Sequence, residues 1–256
     1  MKLGFIGTGN ISSDVITGIC RSNLKFKQIM ISPRNKNKAK KLEKKFKKVS
    51  ILKSNQDVIN SSGWVFLGIT PNVGENILKN LKFKKKQTII SFISTITLPR
   101  LKKLIKVNAI IVRAIPLPPI SLGKGPVPIF PPNKKVKLFF DKIGTTVEIR
   151  NEKLSKNFWS TSGMMAPFYE LLNTMSKWLT KNGIRKDKAQ KYITSLFVAL
   201  SEDAVANSKK DLKHLVEESQ TKKGLNEQGV KELRKAGFYK QTEKTLNSIL
   251  KRLNKV

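Results

Sequence analysis

The chain has 256 residues and is 39% apolar, which suits a folded globular protein with room for two domains or one large one. Its 51 basic residues against 17 acidic ones give a formal charge of +34, so anionic ligands, nucleic acid among them, have to be weighed. A single cysteine, Cys20, and a single histidine, His214, exclude an internal disulfide, a metal centre and a histidine-based triad, and leave the chemistry to a cofactor or to hydroxyls, amides and carboxylates.

The first predicted strand is Lys2-Leu-Gly-Phe-Ile6, and it runs straight into Gly7-Thr-Gly-Asn-Ile-Ser12 and a helical pattern of Ile11, Val15, Ile16 and Ile19. Strand, glycine turn and helix in that order make a dinucleotide site. Gly7 permits the turn, Gly9 lets a pyrophosphate approach the backbone, and the first amides of the helix, around Asn10 and Ile11, receive the anion. Ser12 stands where a third glycine is usual, and Cys20 falls on the apolar side of the helix, as a structural thiol does. With Leu3 to Ile6 already reading as a strand, there is no secretory leader pattern, and a cytoplasmic protein is expected.

The second strand, Gln28 to Ser32, is followed by Ser32-Pro-Arg-Asn-Lys36. At this distance, about 20 residues past the turn, a protein selective for NAD carries an acid for the ribose hydroxyl. Here a hydroxyl, an amide and two cations suit a 2′-phosphate, so NADPH is expected, bound by Ser32, Arg34 and Asn35. The lysine block from Arg34 to Lys48 reads as a helix with Leu42 and Phe46 inward. Because the lysine excess is scattered and lacks an arginine-rich or aromatic-interleaved motif, solvated faces are preferred over a nucleic-acid partner.

Strands are then predicted at Val49 to Leu52, Trp64 to Ile69, Thr88 to Ile93 and Ala109 to Ile115, with helices between them near Gln56 to Asn60, Val73 to Leu81 and Thr97 to Ile105. The alternation is that of a doubly wound parallel sheet, and ligands in such sheets bind beyond the carboxyl ends of the strands. Ser32 to Asn35, Ile69, Thr70, Pro71, Ser94 and Thr95 are therefore expected to face one crevice with the glycine turn. The apolar runs are far shorter than the roughly 20 residues that span a bilayer. Pro126 to Phe130 and Thr145 to Ile149 read as edge strands around a helix at Asn133 to Lys142, and the first domain is placed at 1–150.

Residues 151–256 read as a helical second domain. Met164, Phe168, Leu171, Met175 and Trp178, then Ala189, Tyr192, Ile193 and Leu196, recur at helical spacing, more apolar surface than so small a domain needs for itself. A second subunit is expected to cover part of it. A helix ending at Gly237 and a last amphipathic helix with Leu246, Ile249 and Leu253 complete the chain.

These residues, from Gly4-Phe-Ile-Gly-Thr-Gly-Asn10 and Ser32 to Arg34 through Asn55, Leu67-Gly-Ile-Thr-Pro71 and Val112-Arg-Ala-Ile-Pro116 to Ser160-Thr-Ser-Gly163 and Gly224 to Phe238, resemble the pyrroline-5-carboxylate reductase family over nearly the full chain. The resemblance implies an N-terminal Rossmann-type NADPH domain and an all-helical C-terminal domain that interlocks with its twin in a homodimer, which could assemble further, with the active site between the domains. It implies hydride transfer to a cyclic C=N bond, in proline biosynthesis, with a small anionic substrate and no membrane partner. By position, Ser160, Ser162 and the amide of Gly163 would hold the substrate carboxylate at a helix N-terminus, Asn226 would hydrogen-bond the reacting nitrogen, and Glu227 would bind an amine or donate a proton. Equally, Asn226 and Glu227 read as an N-cap and first-turn acid. The substrate end departs from the family pattern at Ile115-Pro-Leu-Pro-Pro119, at Met164 and at Lys222-Lys-Gly-Leu-Asn226. Other readings stay open: a reductase of another small carboxylated imine or ketone; a dehydrogenase of the β-hydroxyacid type, for which Lys177 and Lys181 are poorly placed as the catalytic lysine; and an NADP-binding protein without catalysis.

Overall fold

The computed structural model describes residues 1–255, apart from the side chains of Pro71 and Asn72. The chain divides into two compact units, Met1–Ser155 and Lys156–Val256. In the first, β1 (Lys2–Ile6), α1 (Asn10–Arg21), β2 (Gln28–Ile31), α2 (Lys36–Lys45), β3 (Val49–Ile51), α3 (Asn55–Ser61), β4 (Trp64–Leu67), α4 (Pro71–Lys79), β5 (Thr88–Ser91), α5 (Leu98–Ile105) and β6 (Ile110–Ala114) alternate as expected. They are followed by β7 (Pro126–Phe130), α6 (Lys134–Phe140) and β8 (Thr145–Glu148). The sheet runs β3-β2-β1-β4-β5-β6-β7-β8, so the strand order reverses between β1 and β4.

Alternate residues of each strand feed two cores, because successive side chains leave a strand on opposite faces. Leu3, Phe5, Ile29, Ile31, Phe66, Ile90 and Val112 pack against α1, α2 and α6. Ile6, Met30, Val65, Leu67, Ile89 and Ile111 pack against α3, α4 and α5 on the other side. Phe5 stacks on Phe66 at 4.4 Å between centroids, which joins β1 and β4 beside the switch point.

One expectation is corrected. β7 is internal rather than an edge strand, pairing antiparallel with β6 and parallel with β8. Pro126 and Pro128 have no N–H for the β6 side, so that ladder keeps only the pairs Arg113 with Phe130 and Ala114 with Ile129. The sheet is thus parallel except at this one junction.

The second unit holds α7 (Ser155–Ser162), α8 (Met165–Lys181), α9 (Lys186–Ala206), α10 (Leu212–Glu218), α11 (Leu225–Lys235) and α12 (Phe238–Asn254). Gly163 and Met164 separate α7 from α8, so the Ser160 to Gly163 stretch ends one helix rather than opening the next. The predicted apolar stripes lie on α8 and α9, but of their residues only Ala189 and Ile193 are buried, while Trp178 and Tyr192 are each 63% exposed. A helix pair that leaves its apolar face in water needs a further surface to cover it. Among the described residues no helix is long and apolar enough to cross a membrane.

Candidate functional site

The glycine turn between β1 and α1 is held from below. Gly7 sits at φ +91°, where only glycine is at ease, and a Cβ there would lie 2.4 Å from the Gly68 carbonyl oxygen. Its amide donates to the Ser32 hydroxyl oxygen at 2.9 Å, and the Thr8 hydroxyl donates to the Ser32 carbonyl at 3.3 Å. Ser32 is fully buried and so works first as a strap between the turn and the end of β2. Its remaining O–H proton is what it can offer a ligand.

Gly9 serves a different purpose. Its φ is −75°, and an added Cβ would meet nothing nearer than the Gly68 oxygen at 3.9 Å. The fold does not demand glycine there; the open space does. Gly9 caps α1 without any side-chain hydrogen bond, and no acid occupies the first turn, so the amides of Asn10 and Ile11 are left to an anion. Ser12 is tolerated because its neighbour gives way: a Cβ on Gly68 would lie 2.0 Å from the Ser12 hydroxyl, so the glycine missing at 12 is supplied at 68.

These elements open into a cleft of about 510 Å³ at the carboxyl ends of β1, β2 and β4. Of the expected cofactor residues, Gly7, Gly9, Ser32, Arg34, Asn35, Asn55, Ile69 and Thr70 line it. Asn10 and Ile11 are not among the lining residues; they open α1 directly after Gly9, which is. Pro71 begins α4, and its side chain lies outside the described residues. Asn35 caps α2 through the Lys38 amide at 3.3 Å, and Ser54 caps α3, which fixes Asn55 at the first position of that helix.

Lys36, Asn37 and Gly68 also line the cleft, and no acid does among the described residues. Lys38 was not singled out from the sequence, yet its ammonium bonds the Asn10 side-chain oxygen across the mouth of the turn. Its position on the first turn of α2 was the available signal, obscured by the lysines around it. Adenosine with a 2′-phosphate fits this cleft: cations at one end, uncapped helix amides at the other, and no carboxylate to repel either phosphate.

The expected substrate residues lie in the second unit, and there the structure revises their roles. Ser160 and Ser162 turn their hydroxyls onto the carbonyls of Lys156 (2.9 Å) and Phe158 (3.1 Å), within α7 itself. The Gly163 amide is spent on the Ser160 carbonyl at 3.1 Å. None of the three stands ready at a helix N-terminus; the free helical amides nearby belong to Met165 and Ala166 at the start of α8. Asn226 donates to the Ser219 carbonyl at 2.8 Å, closing the loop ahead of α11. Glu227 accepts from the Lys223 amide at 2.6 Å and pairs with Lys231 at 2.8 Å. The Lys231 ammonium and the Lys223 amide hold its carboxyl below the usual range, so it carries no proton to donate at neutral pH. It is a first-turn acid of α11, as the second reading of the sequence has it, but the N-cap is Gly224 and Asn226 already lies inside the helix.

Two family models match the chain: "NADP oxidoreductase coenzyme F420-dependent" over residues 2–95 and "Pyrroline-5-carboxylate reductase dimerisation" over residues 152–256. A pyrroline-5-carboxylate reductase of Staphylococcus epidermidis is 23% identical over 98% of this chain and 96% of its own. By these matches the chain is similar to pyrroline-5-carboxylate reductases along nearly its whole length. Pyrroline-5-carboxylate reductase 3 of Danio rerio is 30% identical, over 49% of this chain and only 44% of that relative. In fold, the pyrroline carboxylate reductase of Plasmodium falciparum, solved with NADP bound, superposes with a TM-score of 0.79 at 20% identity, covering 98% of this chain and 96% of that one.

Proposed function

We propose that this protein reduces the C=N bond of pyrroline-5-carboxylate with NADPH to give proline. The observation that carries the reading is the cleft at the switch point, with its uncapped α1 amides and acid-free cationic end, in a chain that matches reductases of that name from end to end. NADPH supplies a hydride when bound, and the imine nitrogen takes a proton. The glycine turn and α1 amides hold the pyrophosphate, Arg34 and Lys36 hold the 2′-phosphate, and Ile69 and Thr70 flank the path toward the reacting end. A protonated cyclic imine is already electrophilic, so orientation and exclusion of water are the chief demands on the protein. On this reading the working unit is a homodimer in the cytoplasm, joined through residues 152–256.

The test is NADPH oxidation by the purified protein with pyrroline-5-carboxylate. Turnover well above the substrate-free rate, with proline formed, supports the reading; a rate equal to the blank removes it. A second reading is favoured by the loop before α11, where Asn226 and Glu227 are engaged in holding the backbone and Leu225 is 87% exposed. It is reduction of another small cyclic imine, and a panel of such imines without the carboxylate distinguishes the two.

A further inference from the structure

Arg113 lies at the end of β6 and is only 4% exposed, in a layer otherwise built from Ile89, Ile111 and Leu101. Its guanidinium donates to the Ser94 carbonyl and pairs with the Glu152 carboxylate. The same Glu152 oxygen accepts the Leu98 amide at 2.8 Å. One ion pair therefore holds both ends of the 94–98 segment, which leaves β5 and enters α5, although its two members are far apart in the chain.

Burying a guanidinium is expensive, and an apolar side chain would fill a core position with less desolvation. What the pair provides and an apolar residue does not is a fixed backbone path for 94–98. That path matters because of where it runs. The adenosine cleft lies on the β1 and β2 side of the switch point, so the other half of a bound dinucleotide extends over the ends of β4 and β5. The 94–98 segment is the carboxyl-end connection of β5.

We propose that the Arg113–Glu152 pair is a positioning element for the nicotinamide half of the cofactor, fixing the 94–98 segment against which that half is oriented for hydride transfer. The inference rests on the proposed NADPH-dependent reduction. Neither Arg113 nor Glu152 lines the adenosine cleft, so the pair acts on the nicotinamide half and not on the anchoring of the adenosine half.

The test uses the full-length protein with Arg113→Met and Glu152→Gln. Four quantities are measured: affinity for adenosine 2′,5′-bisphosphate, which fills only the adenosine cleft; affinity for NADPH; and kcat and KM with pyrroline-5-carboxylate. For Arg113→Met, the expected result is unchanged bisphosphate affinity, weaker NADPH binding, and kcat lower by about a hundredfold with little change in imine KM. Glu152→Gln keeps an acceptor oxygen for Leu98 and is expected to show the same split in milder form, which covers the case of Arg113→Met failing to fold. A lower Tm with unchanged kcat and NADPH affinity would overturn the proposal in favour of a purely structural pair. Equal weakening of both ligands would overturn it as general loosening. If the wild-type chain reduces no imine, the reductase reading falls, and the NADPH-to-bisphosphate affinity ratio still decides the positioning role.

Discussion

Arg34 and Lys36 end the cleft where an NAD-selective protein would carry an acid. A charge-assisted hydrogen bond to a phosphate is worth about 1.5–3 kcal/mol, so Arg34→Ala is expected to weaken NADPH binding by that order while leaving NADH almost unaffected; titration calorimetry with the two cofactors measures it. Ser32 was legible as a residue of the cleft, but not its bond to the Gly7 amide, which joins residues that only the pairing of β1 with β2 brings together. Cys20 is half-buried among α1 side chains, and burial pushes its thiol up to about 11 against a weaker opposite pull from Lys48. With so little thiolate at neutral pH, Cys20 should resist alkylation by iodoacetamide in the folded protein and react once it is unfolded, as intact mass would show.

The strands and helices of the first unit were legible to within a few residues, since each strand carries a continuous or alternating apolar run and the helices between them carry apolar residues at helical spacing, with side-chain caps at Asn35, Ser54 and Asn133 for three of them. β7 was misread because two prolines suggest an edge, whereas here they only shorten one ladder. The break after Ser162 was missed for a different reason: helical spacing continues across Gly163, and only the backbone reveals that α8 starts afresh at Met165. At the start of α11, Glu227 is partly buried and its carboxyl is lowered by Lys231 and the Lys223 amide. A group whose folded pKa is depressed contributes stability above its unfolded value, and that contribution is lost as pH falls through the lower folded value. The α10–α11 loop should therefore loosen only in acid. Glu227→Gln should remove this acid dependence from amide exchange of Lys223 without imposing a neutral-range pKa on kcat.

For the whole molecule, periodicity identified the apolar faces of α8 and α9 but not what covers them, because spacing describes one helix and burial depends on its surroundings. Trp178 and Tyr192 face a shared groove with Met175 and Leu196 and remain 63% exposed in the single chain. Replacing a central interface tryptophan typically costs about 2 kcal/mol or more, so Trp178→Glu is expected to shift the protein from dimer to monomer in sedimentation velocity. The net charge of +34 acts on the same scale: if substrate and cofactor are both anionic, kcat/KM should fall steadily with added salt, as long-range attraction is screened. Gly7 and Gly9, two residues apart, answer to different kinds of selection. A lineage that had abandoned its nucleotide would still need Gly7 in order to fold, but nothing in its own backbone would protect Gly9 from acquiring a side chain. The bare position at 9 is where disuse would register first, and in this chain it is still bare.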